Sequence, residues 1–462
     1  MQSREVTPLE EPASTTSSAR FNAAQFGLLV VLTAFIGGMV GLERSVLPLI
    51  ARSDFGISSL SAAVAFISTF GVSKAVLNLF AGAIADRISR RACLIFGWVV
   101  GLPVPLIVML APDWWWVLLA NVLLGINQAL TWSMTLNMKL DLAGERRRGL
   151  ATGLNEFAGY FGVSLLAFGT AAVARDYGLR PAPFVIGVAL AVVGLLLSLF
   201  VKDTRAILQT RQRQAGQAGQ AGQARPRNEA TTATRLPHLW EMLKLGTWTH
   251  SSLQMASLAG LVTNLKDGML WGLLPIFLQS RSLAVSDVGL VVAIYPAVWG
   301  IAQLGTGPLS DRIGRKALIV LGVILQGLGV ASFLWFDTFP GWAGAAALVG
   351  LGTAMVYPTL QAFVSDVTAL SWRASALGVY RFWRDMGYAV GALGAGVVAD
   401  TLGIGQAFTL FAVLAVVTGA IFSLRVQNDL AARKSSSYSE QPGVIPQPNP
   451  NPATATSQDR PN

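Results

Sequence analysis

Nine charged side chains stand within stretches of sequence that are otherwise apolar: Glu43, Arg44, Lys74, Glu156, Lys266, Asp267, Arg381, Arg384 and Asp385. A charge at bilayer depth is costly, so each needs a partner or a task. The cations suit carboxylate or phosphate, which arginine grips with two parallel hydrogen bonds. The carboxylates suit proton exchange, because burial favours the neutral acid. Five cations against four acids point to an anionic or zwitterionic solute. Local pairing is the competing reading. Arg381 and Asp385 lie four apart and can meet on one helix face. Glu43 and Arg44 fit the headgroup level near a helix end. Lys74 lies about 15 Å from the end of its stretch, deep for a side chain that snorkels.

Other chemistries find little support. His238 and His250 lie outside the apolar stretches, so an intramembrane proton relay would rest on Asp or Glu. Cys93 is the single cysteine, which rules out an intrachain disulfide and a thiolate cluster. No metal and no cofactor is expected. Without a nucleophile–base pair in these stretches the chain is not expected to be an enzyme. It carries no Gly-x-x-x-x-Gly-Lys-Ser/Thr run, so ATP drive within it is not expected.

The elements that must position these residues are membrane helices. The chain is 53% hydrophobic and 13% charged, against about a quarter charged in soluble domains. A helix crosses the hydrocarbon core in about 20 residues. Apolar runs of that length stand near 24–50, 58–84, 91–111, 113–140, 148–174 and 181–201. A second six stand near 252–280, 286–309, 316–337, 340–366, 373–399 and 404–426. The sequence predicts an all-α membrane protein with twelve transmembrane helices in two six-helix bundles, over 24–201 and 252–426. Residues 1–23 read as an N-terminal tail without a signal peptide. Residues 202–251, with Gln-Ala-Gly repeats, read as a flexible linker, and 427–462 as a disordered tail.

Lysine and arginine set the orientation. The loops after spans 2, 4, 8 and 10 hold Arg87, Arg90, Arg91, Arg146, Arg147, Arg148, Arg312, Arg315, Lys316 and Arg373. The opposite loops hold only Arg52, Arg175, Arg180 and Arg281. Both termini and the linker are therefore expected in the cytoplasm, with the protein multi-pass in the cytoplasmic membrane. Topology accounts for most of the net charge of +10, so nucleic acid is not an expected partner.

The halves repeat at an offset of 225 residues. Gly82-x-x-x-Asp86-Arg87-Ile88-x-Arg90 meets Gly307-x-x-x-Asp311-Arg312-Ile313-x-Arg315. Asp141 meets Asp366, Arg148 meets Arg373, Gly162 meets Gly387, and Glu156 meets Arg381. Six spans per half make the repeat parallel, about an axis along the membrane normal. The last correspondence predicts that Glu156 and Arg381 face each other across a cavity as an ion pair.

At Gly82–Arg91 and Gly307–Lys316 the sequence resembles the major facilitator superfamily, whose signature there is Gly-x-x-x-Asp-Arg-x-Gly-Arg-Lys. The second copy fits closely; the first has Ser89 where glycine is usual. The resemblance implies two bundles related by a pseudo-twofold axis, with helices 1, 4, 7 and 10 lining a cavity and 2, 5, 8 and 11 beside them. All nine buried charges fall on these helices, which assigns them to substrate binding or proton coupling. It implies a cytoplasmic gate of Asp86, Arg87, Arg90, Arg91, Asp141 and Arg148, repeated in Asp311, Arg312, Arg315, Asp366 and Arg373. Asp141 would pair with Arg87, Arg90 or Arg91, and Asp86 would face the positive end of a helix. Helix 5 lacks the Gly-Pro pair of the drug-antiporter branch.

The function implied is secondary active transport of a small solute by alternating access in a monomer. Proton coupling and export are the first expectation. Uptake of a small anion by a symporter is the alternative, and a non-transporting membrane sensor the remote one. Trp132, Trp271, Tyr295, Trp299 and Tyr357 are candidates to shape the site.

Overall fold

The computed structural model describes residues 15–143, 148–204, 239–368 and 373–426, with the side chains of 15–22, 81–87, 148, 239, 242, 245 and 374 set apart. The side chains of Asp86, Arg87 and Arg148 lie outside the described residues. So do 205–238 of the linker, the tail 427–462 and residues 1–14.

The first half holds α1 (Thr15–Arg44, continued by Leu47–Ser53), α2 (Leu60–Arg87) and α3 (Arg90–Gly101 and Pro103–Leu110). It continues with α4 (Trp114–Ala143), α5 (Arg148–Tyr177) and α6 (Ala182–Leu199). The second holds α7 (Ser251–Ser280), α8 (Val285–Ile313), α9 (Arg315–Ser332), α10 (Phe339–Asp366), α11 (Arg373–Thr401) and α12 (Ile404–Arg425). The apolar runs become these twelve membrane helices. Two are interrupted where a proline stands at the first turn of the continuing piece, at Pro48 and Pro103, the position where its missing N–H costs least. The end of the expected linker is helical: Leu239–Lys244 runs into a π-helical turn over Leu245–Thr249.

Ten helical stretches are long and apolar enough to cross a membrane on length and composition. Helices α7 and α11 fall outside that set. They carry Lys266 and Asp267, and Arg381, Arg384 and Asp385, so the polarity that lowers their hydropathy is the polarity expected of a site.

Packing follows the repeat. Helix α1 lies on α5 as α7 lies on α11, α2 on α4 as α8 on α10, and α3 on α4 as α9 on α10. The halves meet along α2 with α11 and α5 with α8. Ser68 Oγ donates to Ala389 O at 3.1 Å across the first seam, and Ser164 Oγ to Ala293 O at 2.8 Å across the second. Ser68 and Ala293 are repeat-related positions, and so are Ser164 and Ala389. The pseudo-twofold axis therefore passes between the seams with donor and acceptor exchanged.

The repeated loops differ where the sequence does. Gly314 adopts φ 98°, a conformation that favours glycine. Its counterpart Ser89 is extended at φ −172°, and its Oγ caps the next helix by accepting from Ala92 N at 2.9 Å. Serine there is a helix cap, so no glycine is needed.

The seams close at the end opposite these loops. Gly71 packs against Tyr388 and Ala389 so closely that an added Cβ would stand 2.8 Å from each. Beyond it, Asp400 of α11 caps α2 of the other half. Its carboxylate accepts from Leu60 N, Ser61 N, Ser59 Oγ and Ser61 Oγ at 2.5–3.0 Å. Toward the loop end the helices part: Gly153 reaches only Leu304, at 3.6 Å, and Gly149 and Gly378 face open space. Asp400→Ala removes all four capping bonds, so it should shift the population toward a state open at this end. Val64, buried at this end against Gly272 of the other half, is the place to read it. In a Cys93→Ala background, a Val64→Cys reporter should react severalfold faster with a soluble maleimide once Asp400 is replaced. An unchanged rate would show that the cap does not hold the seam.

Candidate functional site

Between the halves lies a narrow cavity lined by side chains of both. Four of its lining side chains are charged: Lys74 from α2, Glu156 from α5, and Arg381 and Arg384 from α11. Six are aromatic, half from each bundle: Phe70, Trp132 and Tyr160, then Trp271, Tyr357 and Tyr388.

Glu156 is held by its own half. Its Oε1 accepts from Trp132 Nε1 at 3.0 Å and from Asn155 Nδ2 at 2.9 Å. Its Oε2 is buried without a hydrogen-bond partner. Behind it sits Lys139, a buried charge that sequence reasoning missed because it lies near the loop end of α4. Its ammonium donates to Thr33 Oγ1 at 2.6 Å and Leu29 O at 3.2 Å. Thr33 approaches Asn155 Oδ1 at 3.5 Å, so a polar chain runs from Lys139 to Glu156. Only the position of Thr33 one helix away reveals it, and no spacing in the sequence does.

Behind the facing wall, Asp385 is fully enclosed. It accepts from Asn78 Nδ2 at 2.6 Å, from Arg384 Nε at 2.9 Å and, more weakly, from Asn264 Nδ2 at 3.5 Å. The expected local partner, Arg381, is replaced by Arg384, whose guanidinium also lies 4.9 Å from the Tyr357 ring centroid. The expected Glu156–Arg381 ion pair does not form among the described residues. Both line the same cavity, each on its own wall. The halves are apart here, and each residue faces the space between them.

Lys74 projects into the cavity rather than snorkelling. Its ammonium lies 5.3, 5.4 and 5.7 Å from the centroids of Phe70, Tyr388 and Trp132. Rings at that range stabilise a cation electrostatically without using its hydrogen-bond donors.

The other two pairs lie off the cavity wall. Glu43 and Arg44 are fully buried, not at headgroup level. Arg44 sits 4.8 Å from the ring centroids of both Phe70 and Trp271, behind the aromatic floor of the cavity. Lys266 and Asp267 form a closed set at 2.8 Å. Lys266 Nζ also donates to Tyr295 OH at 2.7 Å and Thr353 Oγ1 at 2.6 Å, and Tyr295 donates back to Asp267. Of the five aromatic candidates, Trp132, Trp271 and Tyr357 line the cavity. Tyr295 and Trp299 stack behind it, Trp299 lying 3.4 Å from Tyr160 between ring centroids.

At the loop end, Arg90 pairs with Asp141 and Arg315 with Asp366, the latter at 3.2 Å. These are repeat-related pairs, and each stays within one half, tying the third helix of its bundle to the fourth. Arg315 also pairs with Asp311 at 2.5 Å. Arg91 donates to Leu199 O at 2.9 Å and Arg373 to Thr368 O at 3.3 Å. None of these bonds joins the halves.

A sequence profile described as Major Facilitator Superfamily matches residues 28–266 and 256–452. Multidrug resistance protein 2 of Bacillus subtilis (strain 168) is 28% identical over 186 residues, 38% of this chain and 45% of that protein. Quinolone resistance protein NorA of Staphylococcus aureus (strain MRSA252) is 27% identical over 124 residues, 27% of this chain and 32% of that one. The match thus spans less than half the length of these relatives. A crystal structure of a mutant of the nucleoside transporter NupG superposes with TM-score 0.68 at 14% identity, over 87% of this chain and 100% of that one. At that identity it shows the fold alone.

Proposed function

The chain belongs to the Major Facilitator Superfamily, and from that premise we propose that it is a proton-coupled secondary transporter of a small organic solute, with Glu156 as its proton site. The observation that carries this reading is the cavity between the halves with one unpaired carboxylate oxygen on its wall. The seams that close the cavity at one end join rigid bundles, so rocking them opens that end and shuts the other. The repeated Arg–Asp pairs stiffen each bundle at the loop end for that motion. The excess of lysine and arginine in the loops supports placing that end and both termini in the cytoplasm.

Charge balance supports cotransport. Lys74, Arg381 and Arg384 face Glu156 and Asp385, leaving one positive charge over. A proton on Glu156 raises that excess, so proton and anion favour each other's binding. Under an inward proton gradient the solute moves in. The second reading is export in exchange for protons, favoured by relatives named for drug resistance.

Purified protein in liposomes, given an imposed pH gradient and a panel of organic anions, cations and neutral solutes, tests both. Cotransport predicts that solute and protons move in one direction; exchange predicts opposite directions. Solute flux without proton movement would remove Glu156 from the coupling role.

A further inference from the structure

We infer that the cavity binds a small aromatic carboxylate, its charge held between Lys74 and Arg381 and its ring laid among the aromatic side chains of the wall. The inference rests on the transport reading for the site's purpose, though binding itself needs no transport.

Neither Lys74 nor Arg381 makes a hydrogen bond or ion pair with another described residue, and both line the cavity. An ammonium carries three donors and a guanidinium five. The acceptors opposite are mostly taken. Asp385 is filled by Asn78, Arg384 and Asn264, and Glu156 Oε1 by Trp132 and Asn155. The site thus has donors from both halves, and among the described residues the buried lining oxygens left without a donor are Glu156 Oε2 and Gln128 Oε1. A carboxylate supplies the missing acceptors, and arginine can hold it through two parallel bonds.

The rings decide against a cationic solute. Aromatic walls suit cations when their faces are vacant. Here the protein's own cations occupy those faces. Lys74 lies over Phe70, Trp132 and Tyr388, Arg384 over Tyr357, and Arg44 over Trp271. A second cation would meet like charge at each. Ring edges and the apolar flanks of Val40, Leu136 and Val163 remain for a flat apolar body. Trp271 and Tyr388, stacked at 5.1 Å with 13° between planes, offer a surface of the same shape.

Charge sets the valence. With Glu156 ionised, one monovalent carboxylate offsets the single excess positive charge of Lys74, Arg381 and Arg384 over Glu156 and the enclosed Asp385. The two cations come from opposite halves, so a bound carboxylate bridges the bundles.

The test is direct binding to the full chain in lipid nanodiscs, read by quenching of tryptophan fluorescence, since Trp132 and Trp271 line the site. The probes are 1-naphthoate, 1-naphthamide and tetraphenylphosphonium. Naphthoate should bind, the amide about tenfold or more weakly, since it keeps one neutral acceptor oxygen and turns N–H donors toward the two cations, and the phosphonium not at all. Lys74→Gln and Arg381→Gln should each weaken naphthoate without changing the amide, and Arg381→Lys should recover part of the loss. Thermal unfolding of each variant separates lost binding from lost fold. Should a glutamine variant fail to fold, Lys74→Arg and Arg381→Lys are compared with naphthoate and amide instead: retained preference for naphthoate supports the proposal. Equal affinity for acid and amide, or tight phosphonium binding, overturns it. Naphthoate binding without proton-linked flux would sink the transport reading and leave this one standing. Proton-linked flux of cations alone would do the reverse.

Discussion

Glu156→Gln is expected to abolish uphill, pH-driven accumulation in liposomes while leaving solute exchange across the membrane intact. The amide keeps the geometry: its oxygen can still accept from Trp132 Nε1 and Asn155 Nδ2, which lie at 3.0 and 2.9 Å in the native site. What it lacks is a proton that comes and goes. Exchange requires only that the loaded carrier reorient, and a glutamine mimics the protonated acid. Accumulation requires that proton release at the far side weaken solute binding there, and that step is gone. The loss should approach the uncoupled background, because no other described carboxylate on the cavity wall has an oxygen without a partner.

The sign of the pH effect follows. On the proposed coupling, anion affinity should be lower with Glu156 deprotonated than with it protonated, because deprotonation adds a negative charge opposite Lys74 and Arg381. In Glu156→Gln that difference should vanish. A variant that still accumulates solute against a gradient would move the proton site elsewhere, with Asp385 the next group to replace.

The architecture was legible from long-range patterns, which single-chain periodicity carries well. Twelve apolar runs and one duplication offset require only that the residues lie in order. The loop pairs were legible for the same reason: Arg90 with Asp141 and Arg315 with Asp366 connect ends of neighbouring helices that the repeat marks twice. Partners inside the membrane were not, because they depend on helix rotation and on which half faces which. Arg384 rather than Arg381 takes Asp385, a difference of three residues, or most of a helical turn. Lys139 reads in sequence as a loop-end cation, yet it is fully buried on Thr33. Glu156 and Arg381 are repeat-related and share a cavity. Repeat symmetry predicts their facing positions but not how far the bundles have parted.

The Lys266–Asp267 pair shows what that distinction implies for experiment. Its charge alone suggested a role in transport, but its surroundings describe a structural plug: both side chains are fully buried, and neither lines the cavity. Lys266 has three oxygen partners, from Asp267, Tyr295 and Thr353. Lys266→Met should therefore cost about 3–5 kcal/mol of stability, the usual penalty for stranding one member of a buried pair. Asp267 would keep only Tyr295 as a donor, and its Oδ2 already lacks one. The double change Lys266→Met with Asp267→Leu should recover most of that loss, since replacing both charges by apolar groups of similar volume is often neutral. Thermal unfolding in detergent reads both, and flux through the double variant reads the role. A double variant that is stable and transports confirms that the pair holds α7 to α8 and α10. One that is stable but transports nothing would return Lys266 and Asp267 to the transport machinery, despite their distance from the cavity wall.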